Sequence, residues 1–346
     1  MQSLDLKKGR VDMTHGSGGR AMAQLIDRLF AAAFDNPILS EANDQARLTH
    51  PQLEHPGSKL AFSTDSYVIS PLFFPGGNIG SLAVHGTVND VALGGAQPLW
   101  LSAGFILEEG LPLSDLALIV ESMAEAARAS GVRIVTGDTK VVEKGKADGV
   151  FINTAGIGLC REGLDLSVAN IRPGDAILVS GTLGDHGVAI MATREKLDFE
   201  KPILSDSAPL NGLIETMMDS GATLHAMRDP TRGGLAATLN EMAQSAKVGM
   251  TLDEAAIPVL PQVRSVCEIL GLDPLYVANE GKLIAFCPQT SAPKLLEAMR
   301  SHPYGANAAI IGTVTEDDQC FVEMKTTLGG VRMVDWLAGE QLPRIC

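Results

Sequence analysis

Apolar residues recur at helical spacing from Ala21 to about Phe34, with Met22, Leu25, Ile26 and Leu29 on one face, so the pattern predicts a helix there. Residues 35–58 are polar, hold three prolines and read mostly as loop. A strand fits Lys59–Ser63 and enters a polar turn at Thr64-Asp65-Ser66. A helix fits 78–93 and stops at Gly94-Gly95. Pro98–Leu107 reads as a strand, and Ser114 caps a helix running through Ser130 with Gly131 just past its end. Val132–Val135 and Val150–Ile157 read as strands flanking a loop at 136–149. The turn signal Arg172-Pro173-Gly174-Asp175 leads into the strand Ala176–Val179. Beyond it, helices fit 185–196, 208–220, 233–246, 260–270 and 291–301, and strands fit 249–252, 282–287, 308–314, 320–325 and 330–334.

This alternation predicts two α/β (or α+β) domains with a boundary near 160–172. The expected divisions are a glycine-rich segment and helix over 1–40, a first domain over 41–165, a second over 166–336, and a flexible tail over 337–346 in which Pro343 opposes a terminal helix. The length of 346 residues suits two domains.

Charge and composition narrow the function. A net charge of -14 and an aromatic share of 4% argue against binding a phosphate backbone, stacking on single-stranded nucleic acid or docking on an anionic membrane. No apolar run approaches the roughly 18 residues of a membrane span. The start, MQSLDLKKGR, has no apolar leader core, so a cytoplasmic location is expected. The five cysteines form no CxxC pair, which fits neither a disulfide framework nor a zinc ribbon. Four have no assigned role. The fifth, Cys346, ends the sequence.

Four aspartates sit among small residues: Asp44, Asp65, Asp90 and Asp138. Hard cations such as Mg²⁺ take oxygen ligands and are commonly shared with substrate phosphates, so the set is a candidate metal site. The competing reading for each is an aspartate that caps its own turn. Three glycine-rich stretches stand before helices: His15-Gly16-Ser17-Gly18-Gly19, Ser180-Gly181-Thr182-Leu183-Gly184-Asp185-His186-Gly187 and Asp229-Pro230-Thr231-Arg232-Gly233-Gly234. Backbone N–H groups there attract anions. None is a Walker A loop or a GxGxxG, and each alone reads more readily as a plain turn than as a phosphate loop.

Asn89-Asp90-Val91-Ala92 followed by Gly95-Ala96-Gln97-Pro98-Leu99 resembles the NDxxxxGAxPL signature of the aminoimidazole ribonucleotide synthetase (PurM-like) superfamily. Asp65, Thr136-Gly137-Asp138-Thr139 and Asp229–Gly234 follow in that superfamily's order. Within it, HGSGG, TGDTKVV, Asn279-Glu280-Gly281-Lys282 and the ending Pro343-Arg344-Ile345-Cys346 resemble the HypE family of hydrogenase maturation proteins.

That resemblance implies a two-domain PurM-like fold whose first, mixed sheet pairs with a second copy into a barrel. It implies a homodimer with ATP and Mg²⁺ near the interface. It also implies dehydration of a carbamoyl group carried on Cys346, from thiocarboxamide to thiocyanate, as the source of the cyanide ligand of [NiFe] hydrogenase. A HypF-like carbamoyltransferase would load Cys346, and a HypC/HypD-like scaffold would accept the cyanide. Asp65, Asp90 and Asp138, with Asp44 as a weaker fourth, are then the expected metal ligands, and Glu280 the base that strips the amide nitrogen. Lys140 would steer the amide oxygen or offset its charge. His15, Gly16, Ser17, Gly18, Gly19, Thr64, Asn89, Gly137, Thr139, Arg232, Gly233 and Gly234 would contact the nucleotide. His85 is expected to pair with Asn89 one helical turn away, and His186 to serve its glycine turn. Two other readings stay open: a related enzyme that phosphorylates a diffusible small molecule, and a nucleotide-binding scaffold that only presents a cysteine.

Overall fold

The structure is a computed structural model that describes residues 4–41, 43, 45–197, 199, 201–336, 344 and 345. After the short helix α1 (Arg20–Leu25), a π-helical stretch over Ile26–Ala31 continues the rod. The strands of the first domain are β1 (Leu60–Tyr67), β2 (Phe73–Phe74), β3 (Gly77–Asn78), β4 (Ala96–Glu108), β5 (Arg133–Val142) and β6 (Val150–Cys160). β1, β6, β4 and β5 form a four-stranded sheet in that order; β4 and β5 run parallel and the other pairs antiparallel.

One face of this sheet is covered by helices α2 (Ile79–Leu93) and α3 (Leu113–Ala129). Asn78 caps α2 by accepting from the Gly80 and Ser81 amides. α2 is buried on nearly every side because the sheet, α3 and the second domain all pack on it. The other face of the sheet is open over much of its area and exposes Leu60, Phe62 and Ile106, while Trp100 on it is buried with His50 edge-on to its ring.

The second domain is built on β7 (Asp175–Val179), β8 (Ala226–Arg228), β9 (Gly249–Asp253), β10 (Ile284–Pro288), β11 (Ala309–Thr315), β12 (Val322–Lys325) and β13 (Val331–Met333). They form one sheet, ordered β13-β12-β9-β11-β7-β10-β8. Its helices are α4 (Asp185–Arg194), α5 (Asn211–Asp219), α6 (Gly234–Ala246), α7 (Pro261–Leu270) and α8 (Ala292–Ser301). Strand alternation feeds two cores: Ile177 and Val179 pack with Leu235 and Leu239 of α6, while Ala176 and Leu178 pack with Met217 of α5 and Leu295 of α8.

Two expected loops are strand. β1 runs on through Thr64, Asp65 and Ser66 because the alternation continues and ends by burying Tyr67. β5 runs on through Gly137, Asp138, Thr139 and Lys140, paired to β4 along its length. The expected helix over 208–220 starts only at Asn211, and β8 was not foreseen.

Candidate active site

A cavity of about 680 Å³ opens between the two domains. Thr64 and Asp65 of β1, Asp90 of α2, Asp229, Arg232 and Glu280 are among its walls. Asp65 lies opposite Thr154, whose hydroxyl donates to the Ala83 carbonyl of α2, so Asp65 faces the helices and comes near Asp90. Asp90 accepts from the Ser63 hydroxyl at 2.8 Å. Burial, and then the Asp65 charge, push the Asp90 carboxyl above its ordinary value. Burial and the neighbouring Asp90 push Asp229 up to about 7. Asp229 was not among the residues singled out for metal, although it opens the glycine motif that ends in Gly233-Gly234.

For Asp90 and Asp229, burial and neighbouring acids outweigh the attraction of Arg228, which is the condition a divalent cation relieves. Among the described residues, no three His, Cys, Asp or Glu side chains converge closely enough to hold an ion by themselves. The residues therefore fit a largely hydrated Mg²⁺ that takes the rest of its shell from phosphate and water.

Glu280 is 4% exposed, and backbone contacts on both sides fix it. Its amide donates to Asp206 Oδ1 at 3.1 Å, and the Gly281 amide donates to Asp206 Oδ2 at 3.2 Å. The close approach requires Gly281: a Cβ there would fall 1.8 Å from the Asp206 carbonyl oxygen. Asn279 is fully buried, accepts from the Gly184 amide at 2.8 Å and donates to the Pro230 carbonyl at 3.0 Å. This ties Glu280 to two of the glycine loops. Gly234, with φ of +62°, opens α6 beside the Leu275 and Val277 carbonyls, 2.6 Å from where a Cβ would sit. Only glycine fits there.

Asn89 has a different task from the expected nucleotide contact. It is 1% exposed. It accepts from the Leu210 amide at 2.7 Å and donates to the Ala208 and Glu280 carbonyls at 3.1 and 3.3 Å. It joins the domains and braces Glu280. His85 bonds Ser207 at 3.0 Å, not Asn89, and burial pulls it down to about 4.

The remaining expected residues lie elsewhere. Along the sheet register Asp138 lines up with Gly104, Asn153 and Ser66. Three strand spacings separate it from β1, about 14 Å. It also points from the open face, paired with Lys140 at 3.0 Å, and that ammonium holds its carboxyl below the ordinary range. Asp65, Asp90 and Asp138 therefore do not meet within one chain. Thr139 is buried, and Gly137 is exposed with the Ala103 carbonyl where a Cβ would sit. The His15–Gly19 loop packs on β5 through Gly16 and Val141. His15 is buried and closes a cap by accepting from the Asp12 amide at 3.1 Å. Gly18 and Gly19 are open around their Cα atoms. Asp44 and Cys346 lie outside the described residues.

Of the expected flexible tail over 337–346, only Arg344 and Ile345 are among the described residues, and both are docked. Ile345 is 4% exposed and belongs to the first domain's core, and its carbonyl accepts from His186 Nε2 at 2.7 Å. Arg344 pairs with Asp148 at 2.8 Å. Cys267 and Cys287, whose thiols burial pushes up to about 11 and about 12, are unsuited to nucleophilic work.

The two-domain arrangement and the interdomain acidic cavity define the AIR synthase related class. Profiles of the AIR synthase related N-terminal and C-terminal domains match residues 43–160 and 172–325. The chain is 63% identical over 346 residues to carbamoyl dehydratase HypE of Azotobacter vinelandii, covering 100% of both. The crystal structure of hydrogenase maturation protein HypE in complex with ATP is 51% identical, covers 96% of this chain and 99% of its own, and superposes with a TM-score of 0.91. The HypE–HypF complex structure is 50% identical, covers 90% and 99%, and gives a TM-score of 0.78. This chain belongs to the HypE family of carbamoyl dehydratases. No described helix is long and apolar enough to cross a membrane.

Proposed function

We propose that this protein is an ATP-dependent carbamoyl dehydratase that converts a thiocarboxamide on its own Cys346 into a thiocyanate, the cyanide source for [NiFe] hydrogenase. One observation carries the reading. The carbonyl joining Ile345 to Cys346 is seated inside the protein on His186, whose other ring nitrogen meets Ser205, the neighbour of the Asp206 whose carboxylate holds the Glu280 loop.

The chemistry requires an oxygen to leave carbon. Attack of the amide oxygen on the γ-phosphorus of ATP expels ADP and converts that oxygen into a phosphate ester. The nitrogen then loses two protons, the carbon–oxygen bond breaks, the C≡N bond forms and inorganic phosphate departs. Glu280, lining the cavity and held at its backbone, is the base for the nitrogen protons. Arg232 at the cavity and the α6 N-terminus at Gly233-Gly234 face the phosphates. Asp65, Asp90 and Asp229 would hold Mg²⁺, which neutralises phosphate charge when bound.

The glycine loop, Asp138 and Lys140 act on the site of a second copy. The open sheet face carrying Phe62, Ile106, Asp138 and Lys140 favours a homodimer, because an uncovered apolar sheet face is unstable in water. A HypF-like carbamoyltransferase loads Cys346, and a HypC/HypD-like scaffold takes the cyanide.

Intact-mass analysis tests the reading. Protein carbamoylated on Cys346 by a carbamoyltransferase should lose one water on adding ATP and Mg²⁺. Carbamoylated protein whose mass stays constant with ATP consumed would contradict it.

A further inference from the structure

We propose that His186 is a positioning residue, a latch that holds the Cys346 end of the chain in the dehydration geometry; the proposal rests on the function given above. His186 is the second residue of α4 and is fully buried. Its Nε2 meets the Ile345 carbonyl at 2.7 Å, and its Nδ1 meets the Ser205 hydroxyl at 2.8 Å. A carbonyl only accepts, so Nε2 carries the hydrogen and Nδ1 accepts from Ser205. The Phe74 ring meets the imidazole edge-on at 5.5 Å and fixes its plane.

The carbonyl gripped this way belongs to the peptide bond that joins Ile345 to Cys346, so the latch acts one residue from the sulfur. Two turns along α4, Arg194 grips the preceding carbonyl, that of Arg344, and also donates to the Ser70 carbonyl at 2.6 Å. One helix thus reads two successive carbonyls of the tail. Such backbone contacts hold position without consuming side-chain chemistry, and they can be released together when the tail leaves.

The latch is geared to the base. Ser205 orients His186, and the next residue, Asp206, accepts from the Glu280 and Gly281 amides and pairs with Lys282 at 3.2 Å. One short segment, anchored by the Ser205 amide on the Pro75 carbonyl, therefore sets the tail and Glu280 relative to each other. A reacting group misplaced by about 1 Å costs on the order of 100-fold in rate, so a device with this geometry has a purpose. Loading by a partner requires Cys346 outside and dehydration requires it inside. Loss of the latch should impair only the second.

The test compares His186→Gln, which keeps an N–H donor near the Nε2 position, with His186→Leu, which keeps bulk but no donor. Single-turnover loss of water from carbamoylated protein should fall on the order of 10- to 100-fold in the leucine variant and recover most of the way in the glutamine variant. Carbamoyl loading and ATP binding should match wild type in both. Equal dehydration rates in the leucine variant and wild type would overturn the latch. So would an equal drop in loading, ATP binding and dehydration, which marks a merely structural residue. If the leucine variant does not fold, Ser205→Ala replaces it: a several-fold slower dehydration supports the latch and an unchanged rate overturns it. Failure of wild-type protein to lose water would sink the function itself and not the latch.

Discussion

The two edges of the first domain's sheet carry acids that look alike in sequence and differ in every physical respect. Beside the β1 edge, Asp90 of α2 is pushed above its ordinary value by burial and then Asp65, and Asp229 of the second domain by burial and then Asp90. At the β5 edge, Asp138 is exposed and held low by Lys140. In the first group burial and like charge outweigh the pull of Arg228, which suits a cation. The second brings its own cation and suits a surface that meets something else. The difference teaches that a set of aspartates in the right order is not yet a site, since a strand's alternation and the sheet's width decide which carboxylates can share an ion.

The largest effect is expected at the buried edge. Glu280→Gln should leave carbamoylated Cys346 undehydrated, with a rate loss of about 100-fold or more, read by intact mass. Asp90→Asn should cut ATP-dependent dehydration nearly as far, and excess Mg²⁺ should recover part of it if the residue serves the metal. Next comes the open face. Phe62→Asp should weaken self-association in sedimentation, and activity should fall with the dimer; a monomer of full activity would mean the β5 edge is irrelevant to catalysis.

The smallest effect sharpens the electrostatics. Asp229 has a folded-state value raised to about 7 from an ordinary 3.8, so its ionisation destabilises the ligand-free fold progressively as pH rises through that window. Asp229→Asn should therefore raise the melting temperature of ligand-free protein by a few degrees above pH 7. The gain should shrink as pH falls and vanish near pH 4, while activity drops throughout. A melting temperature lowered at pH 8 would mean that the charge is compensated in the folded protein.

Much of this was legible in the chain. The mixture of strands and helices, the glycine punctuation and the Asn89–Leu99 signature led to the two-domain architecture. Glu280, Asp65 and Asp90, all singled out in the sequence, line the cavity. What was not legible depends on register and packing. Asp65 and Asp138 both read as loop residues because polar neighbours interrupt the apolar runs, yet the backbone ladder carries each strand through them. Asn89 reads as a polar signature residue available to a ligand, but three backbone groups from the second domain consume its amide. The tail carries no amphipathic pattern, so its docking could not be foreseen. Arg344 and Ile345 are held by their main-chain carbonyls, which every sequence possesses, by the Arg344–Asp148 pair and by the buried side chain of Ile345.

The central claim is that the two edges belong to one reaction through two copies of the chain. Mixing tests it most directly. Asp65→Asn protein and Asp138→Asn protein, each inactive alone, are unfolded and refolded together, and dehydration of carbamoylated Cys346 is followed by mass. If the edges complement across a two-fold interface, each mixed dimer regains one intact site, and activity returns to about a quarter of wild type. A mixture as inactive as its components would contradict the account.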